Sequence, residues 1–259
     1  MQEITSVQNP RIRALRALKK AQARTETGLF LVEGRKLCEE ALRDAQVQTL
    51  LVDSRFQKQY AALLKRAGEV LVAPAHVLEA VCQARTPQGI AASVHMPAPL
   101  RLEQAGGLLL ALDGVQDPGN VGAMLRTAEA AGFAGVLLSP QCADAFSPKA
   151  ARATMGSVLR LPLWRGPLAQ GLEALRGRGF TIVTAELGGE DFFAALQTLQ
   201  APLVLVIGSE GNGVTPQVSA LAQKKLALAM YGRAESLNAA VAAGILMYAA
   251  GRAVREKGF

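Results

Sequence analysis

Leu203-Val-Leu-Val-Ile-Gly-Ser-Glu-Gly-Asn-Gly-Val214, followed by Leu226-Ala-Leu-Ala-Met-Tyr-Gly-Arg-Ala-Glu-Ser-Leu-Asn-Ala-Ala-Val-Ala-Ala-Gly-Ile245, is the stretch from which the fold is read. Each half opens with a short apolar run and passes through glycine with an acidic residue; the second ends in a long apolar helical run. Val204 to Ile207 is apolar at every position. That suits a strand buried on both faces, as in parallel sheets covered by helices. Ligands of such open sheets bind beyond the carboxyl ends of the strands. Gly208, Gly211 and Gly213 let backbone amides approach a ligand, because glycine tolerates positive φ and carries no side chain. Read alone, the same glycines serve equally well as turns. Ser236 is placed to cap the helix that follows. The chain has no G-x-x-x-x-G-K-[ST], and the order G-x-x-G-x-G from Gly208 reverses the dinucleotide fingerprint. Both facts leave a nucleotide cofactor other than ATP or NAD.

Upstream, Leu108 to Leu112 reads as a buried strand ending in Asp113-Gly-Val-Gln-Asp-Pro-Gly-Asn120. Val121, Met124, Leu125 and Ala128 then recur at i, i+3, i+4 and i+7, the core face of a helix that Asn120 is placed to cap. Arg126 and Glu129 project off that face. Val136–Leu138 and Thr181–Ala185 read as further strands, with helices from Ser147 to about Met155 and from Leu172 to Arg176. Lys149, Arg152, Arg160 and Arg165 form a basic group that fits either a phosphate backbone or ordinary solvation.

Proline and glycine in His95 to Gly107 mark a boundary, giving an N-terminal unit over 1–96, a linker over 97–107 and a second unit over 108–259. The first unit alternates strands at Leu29–Val32, Val47–Val52, Val70–Val72 and Gly89–Val94 with helices at Arg35–Asp44, Gln57–Ala67 and Ala75–Ala84, a small α/β pattern. A helix over 9–24 precedes it, with an Asn cap and Pro at its first position. Arg13, Arg16, Lys20 and Arg24 share one face of it and Ile12, Leu15 and Leu18 the other.

With 259 residues, half of them hydrophobic, the chain has ample core, and its formal charge of +7 favours a polyanionic partner, nucleic acid first. Cys38, Cys82 and Cys142 match no metal spacing and leave an odd count, which implies buried thiols in a reducing cytoplasm. Only His76 and His95 are present, far from the strand-end loops, so histidine base chemistry and histidine metal sites are not expected. Met1 to Pro10 has no apolar signal core, and the run Ser236 to Gly251 is shorter than the ~20 residues a membrane span needs. That run reads as a helix covered on several sides, since Leu237, Val241, Ile245, Met247 and Tyr248 surround it.

Three segments carry a resemblance: Leu112 to Gly132, Ile207 to Gly213, and Glu235-Ser-Leu-Asn-Ala-Ala-Val-Ala-Ala-Gly244. They resemble, in order and spacing, the three signature motifs of the SpoU (TrmH) family of RNA 2'-O-ribose methyltransferases, in the SPOUT superfamily. Ile4-Thr-Ser, Asn9-Pro-Arg-Ile and Gly28 to Gly34 are similar to the L30e-like substrate-binding domain of its ribosomal RNA members. The resemblance implies a small L30e-like α/β domain and a C-terminal parallel-sheet α/β domain with a deep trefoil knot. It also implies a homodimer whose active site draws on both subunits, S-adenosyl-L-methionine as cofactor, ribosomal RNA as substrate, and neither metal nor membrane. Carried over by motif, Gly208, Leu228 and Leu237 hold the cofactor, and Asn120, Arg126, Glu210, Ser236 and Asn238 are the catalytic and substrate-side polar residues. Two departures occur: Leu228-Ala229-Met230 stands where the family has Ile-Pro-Met, removing a φ restraint, and Ala239 stands where valine is common.

The implied reaction is displacement by a ribose 2'-oxygen at a sulfonium methyl, needing positioning and deprotonation but no metal or covalent intermediate. The family assigns Arg126 to the 2'-hydroxyl. Arginine side chains stay protonated, so either an RNA phosphate takes the proton while Arg126 orients the hydroxyl, or a special environment lets Arg126 accept it. Without the motif, Arg126 would be an exposed residue paired with Glu129. The alternatives are a non-catalytic dimeric RNA-binding protein, an antibiotic-resistance ribosomal RNA methyltransferase and, least, a nicotinamide dehydrogenase.

Overall fold

The computed structural model describes residues 1–256. In chain order the first half carries β1 (Gln2–Glu3), α1 (Pro10–Ala17), α2 (Ala21–Thr27), β2 (Leu29–Glu33), α3 (Arg35–Asp44), β3 (Val47–Asp53), α4 (Ala61–Leu64), β4 (Val70–Ala73), α5 (Ala75–Val81) and β5 (Ile90–His95). The rest runs β6 (Leu108–Asp113), α6 (Pro118–Ala130), β7 (Gly135–Leu138), α7 (Pro148–Ala153), β8 (Leu163–Arg165), α8 (Leu168–Gly177), β9 (Thr181–Asp191), α9 (Phe192–Ala195), β10 (Leu203–Gly208), α10 (Pro216–Ser219), β11 (Lys224–Ala227) and α11 (Ala239–Arg255). These form two compact units: Met1–Pro97 with Asp144–Arg160, and Ala98–Ala143 with the chain from Leu161 onward.

The first unit is built on a mixed sheet in the order β1-β4-β3-β5-β2, with β5 antiparallel to both β3 and β2. Its core packs Ile12, Leu15 and Leu18 against Leu31, Leu51 and Leu71. The helix expected over 9–24 is two helices. Asn9 caps the first through its side chain, accepting from Arg11 N at 2.9 Å, but α1 ends at Ala17 and the chain turns before α2. Lys19 is drawn inward to donate to the carbonyls of Ala80 (2.8 Å) and Cys82 (2.9 Å). The turn re-aims Arg24, which leaves the basic face: only 3% exposed, it pairs with Asp144 and donates to Leu18 O at 2.7 Å. Gln57 to Ala67 holds only the single turn α4.

Asp144–Arg160, read from sequence with the second unit, packs in the first. Phe146 meets the buried Phe30 ring at 5.1 Å between centroids. Arg152 reaches Glu33 at 3.0 Å, and Arg160 reaches Glu40 at 3.0 Å and Asp44 at 2.7 Å. Three of the four members of the expected phosphate-facing group are thereby corrected to structural roles, for Arg165 binds the carbonyls of Pro140 (2.8 Å) and Cys142 (2.6 Å) within the second unit. A cation seated on a carboxylate or a carbonyl within its own fold is not free for phosphate. All three cysteines are buried. Burial, with Glu33 nearby, pushes the Cys82 thiol up to about 12, and burial raises Cys38 further still.

The second unit is a six-stranded, wholly parallel sheet in the order β11-β9-β10-β6-β7-β8. The all-apolar strands, Leu108–Leu112 and Leu203–Ile207, are its centre, as expected for strands covered on both faces. Residues 97–107 do not hang free: Leu100, Leu102 and Ala105 join the core of this unit beside Leu109, Leu172 and Val206. The chain runs outward from β6 to β8, returns to β9, and then fills the gap with β10. In register, Gly208 lies opposite Asp113, so the loops leaving β6 and β10 emerge side by side at the carboxyl edge.

Candidate active site

Beyond Gly208 the chain doubles back. Ser209 and Gly213 exchange backbone hydrogen bonds of 3.0 and 2.9 Å, and Gly213 takes φ +65°. A Cβ on Gly208 would collide with the Gly213 carbonyl group and Val214 N, so glycine is required there for close approach of backbone to backbone. Thr215 N donates to the buried Asp113 carboxylate at 2.8 Å, tying this loop to the end of β6. The hairpin leaves Glu210 exposed at its tip.

Asp117, not Asn120, caps α6: its side chain accepts from Asn120 N at 2.9 Å, with Pro118 at the first helical position. This frees the Asn120 amide, which donates to Glu210. Likewise Asn238, not Ser236, caps α11, its Oδ1 accepting from Ala240 N (2.9 Å) and Val241 N (3.2 Å). With its oxygen so used, the Asn238 amine is turned outward and donates to Asn120 Oδ1 at 3.4 Å. Three separated segments thus meet in a polar chain running Asn238 to Asn120 to Glu210, with donors pointing toward the carboxylate.

Beside this chain lies a cavity of about 490 Å³ whose walls include Gly208, Leu228, Leu237, Glu210 and Ser236. The three residues expected to hold cofactor therefore share one cavity with two of the polar set, and Asn120 and Asn238 join through Glu210. Arg126 is not brought to them. It lies six positions past Asn120, about 240° around α6, exposed and without a hydrogen bond or ion pair among the described residues; the pairing with Glu129 is not formed. Sequence reasoning missed Glu186, which also lines the cavity; its place directly after an expected strand end was the available signal. Among the described residues no cluster of histidine, cysteine and carboxylate could hold a metal ion.

The size suits a drug-sized ligand, and apolar walls from Ile207, Leu228, Leu237 and Leu246 with a few carboxylates and hydroxyls suit one that is part apolar and part hydrogen-bond donor. S-adenosylmethionine fits both requirements: a flat base for the apolar walls, and amine and hydroxyl donors for the acceptors.

A parallel α/β unit with a glycine-hairpin cavity at its carboxyl edge has its ligand site where open α/β sheets hold nucleotide cofactors. Residues 107–248 match the SpoU rRNA Methylase family and residues 9–92 the MRM3-like substrate binding domain. The chain is 36% identical, over 96% of its length and 98% of the relative's, to the 23S rRNA (guanosine(2553)-2'-O)-methyltransferase RlmP of Bacillus subtilis. It is 33% identical, over 90% of its length and 85% of the relative's, to the 23S rRNA (uridine(2479)-2'-O)-methyltransferase of Streptomyces viridochromogenes. The crystal structure of an AdoMet-bound rRNA methyltransferase from Sinorhizobium meliloti superposes with a TM-score of 0.83 at 34% identity, covering 96% of this chain and 97% of that one. The chain belongs to the SpoU rRNA methylase family. It is an S-adenosylmethionine-dependent RNA 2'-O-ribose methyltransferase.

Proposed function

We propose that this enzyme methylates a ribose 2'-hydroxyl of large-subunit ribosomal RNA, and that it does so as a cytoplasmic homodimer with a knotted C-terminal domain. The observation that carries the reading is the polar chain Asn238–Asn120–Glu210, drawn from three separated segments to the mouth of the glycine-walled cavity. A protein kept only for RNA binding has no use for that convergence.

Bound S-adenosylmethionine supplies an electrophilic methyl group on a sulfonium. Gly208, Leu228 and Leu237 would wall the cofactor, and the Asn238–Asn120 relay fixes Glu210 at the cavity lip, where its carboxylate would accept from an incoming ribose hydroxyl, with Ser236 on the same cavity wall. Such positioning replaces solvent reorganisation during an in-line displacement. Arg126 donates to the RNA, to a phosphate or to the hydroxyl, because a guanidinium has donors and no acceptor. Its separation from the relay within one chain supports a site shared between subunits.

Val241, Ile245 and Tyr248, at 53%, 38% and 55% exposure, line one face of α11 with Leu237 next to its cap, and an apolar stripe of that kind is the face a second copy would cover. Among the described residues no helix is long and apolar enough to cross a membrane.

Transfer of labelled methyl from S-adenosylmethionine to RNA lacking its modifications tests the reading. Label in an alkali-resistant 2'-O-methyl nucleotide of large-subunit ribosomal RNA is expected. RNA binding without cofactor binding or label would instead favour the binding-protein alternative.

A further inference from the structure

Glu186 is held at the cavity wall by a device that the three family motifs do not include. In the β9–β11 ladder Thr184 pairs with Lys225, and the next pairing is Glu190 with Leu226. One strand advances by a single residue while the other advances by six. The surplus, Ala185 to Gly189, therefore bulges from the β11 side of the ladder, re-aiming its side chains as bulges do. Two glycines make this closure possible. Gly188 takes φ +82°, and a Cβ on Gly189 would lie 2.6 Å from Lys225 O and 2.8 Å from Leu226 N.

At the root of the bulge, each Glu186 oxygen is fixed by a hydroxyl: Thr184 Oγ1 donates to Oε1 at 2.6 Å, and Ser219 Oγ to Oε2 at 3.0 Å. Thr184 is fully buried, so the first of these is anchored in the sheet. Lys225 Nζ, 2.6 Å from Ser219 Oγ, lies 3.9 Å from Oε2. The side chain is 22% exposed and lines the cavity. Of the two carboxylates on that wall, Glu210 is engaged by Asn120, and Glu186 has lone pairs left over after its two hydroxyls.

We infer that Glu186 binds the ribose diol of the cofactor, accepting from its 2'- and 3'-hydroxyls. Its charge is already offset by Lys225 and the two hydroxyls, so what it lacks is hydrogen-bond donors rather than a counter-ion. A vicinal diol offers two donors at the spacing of one carboxylate, the pairing that acidic residues make with ribose in dinucleotide sites. The inference rests on the cofactor occupying this cavity, and it makes Glu186 a determinant of cofactor affinity rather than of the chemical step.

Calorimetry tests it, with 5'-methylthioadenosine, its 2'-deoxy and 3'-deoxy forms, and S-adenosylhomocysteine as probes on the full-length protein. Deleting a ribose hydroxyl should weaken wild-type binding about tenfold, the scale of one hydrogen bond to a charged group. In Glu186→Ala the parent probes should bind at least tenfold more weakly, and the deoxy forms should lose nothing further. In steady-state assays Glu186→Gln should raise KM for S-adenosylmethionine while kcat at saturation stays within about twofold. The wild-type comparison establishes that the diol is recognised, and the nearly isosteric Glu186→Gln, carried through the same deoxy comparison, tests the assignment to Glu186 should Glu186→Ala fail to fold. Equal deoxy penalties in wild type and Glu186→Ala would overturn the inference by placing the ribose elsewhere. So would weakened S-adenosylhomocysteine with unchanged methylthioadenosine, which would assign Glu186 to the amino-acid end. Failure of wild-type protein to bind any probe would overturn the cofactor cavity itself, and this inference with it.

Discussion

At the scale of single residues, the polar relay makes demands that can be separated from folding. Asn120 uses its oxygen toward Asn238 and its amine toward Glu210. Asn120→Asp would set a second carboxylate against Glu210, and Asn120→Ala would release both neighbours. Either change is expected to lower single-turnover methyl transfer by about 10- to 100-fold, the range for hydrogen bonds to a charged group. S-adenosylhomocysteine affinity measured by calorimetry should stay within a few-fold. Arg126 is exposed and makes no hydrogen bond or ion pair among the described residues, so Arg126→Ala should leave the melting temperature unchanged while methyl transfer falls at least as far; Arg126→Lys should not restore it, since lysine lacks the planar fork. Wild-type rates in Arg126→Ala would remove that residue from the mechanism. Burial makes an opposite prediction for the thiols. With Cys82 held up at about 12 and Cys38 higher, the native protein at pH 8 should react with a thiol reagent at a small fraction of the rate of the protein in guanidinium. The three motifs single these residues out in the sequence, but which of them cap helices is not legible there. Ser, Asn and Asp are interchangeable as caps, and both sites offer two candidates within a few positions. The choice falls on Asp117 and Asn238, which leaves Asn120 and Ser236 for the site.

At the scale of elements, α11 shows what periodicity can and cannot reveal. Apolar residues all round a helix announce that every face meets something apolar, and the sequence reads this as burial within the chain. In the structure Ala243, Leu246, Met247 and Ala250 are buried, while Val241, Ile245 and Tyr248 stand exposed on another side. Periodicity reports the hydrophobic demand without naming the molecule that meets it. If a second copy meets it, Val241→Asp with Ile245→Asp should convert the protein to monomer in analytical ultracentrifugation. Methyl transfer should then be abolished through loss of the shared site, while the far-ultraviolet circular dichroism stays as in wild type. A double variant that remains dimeric and active would show that this face is not the interface. The same limit applies to the basic helix at the N-terminus. Its spacing correctly put Ile12, Leu15 and Leu18 in the core, but a break after Ala17 reorients everything beyond, and Arg24 ends buried on Asp144 instead of facing solvent.

At the scale of the whole molecule, the net charge of +7 anticipates a polyanion without locating it, because cations read from sequence carry no record of their partners. Arg24, Arg152 and Arg160 are all spent inside the first unit, holding the segment Asp144–Arg160 to α2, β2 and α3. No linear boundary predicts this, since hydrophobic alternation ranks segments by neighbours in sequence and these contacts span more than a hundred residues. The consequence is that Met1–Pro97 alone should not fold. Without the segment, Phe30 loses the ring of Phe146, and Arg24 and Glu33, at 3% and 6% exposure, lose their ion-pair partners. Each unpaired buried charge costs several kcal/mol, against a typical stability of roughly 5–15 kcal/mol for a domain. The isolated fragment is therefore expected to melt without cooperativity and to bind a hydrophobic dye, and fusing residues 144–160 to it should restore a cooperative transition; a fragment that melts cooperatively by itself would refute the dependence. Acid probes the same contact in the full chain. Hydrogen bonds from Arg43 and then Arg160 hold the Asp44 carboxyl at about 2, below its ordinary 3.8. A depressed carboxylate stabilises fully above its unfolded value and loses that contribution as pH falls through the folded one. Arg160→Ala should accordingly be less stable than wild type to urea at pH 6, and the gap between the two should narrow progressively as pH falls from about 4 through 2, below which Asp44 is protonated in both.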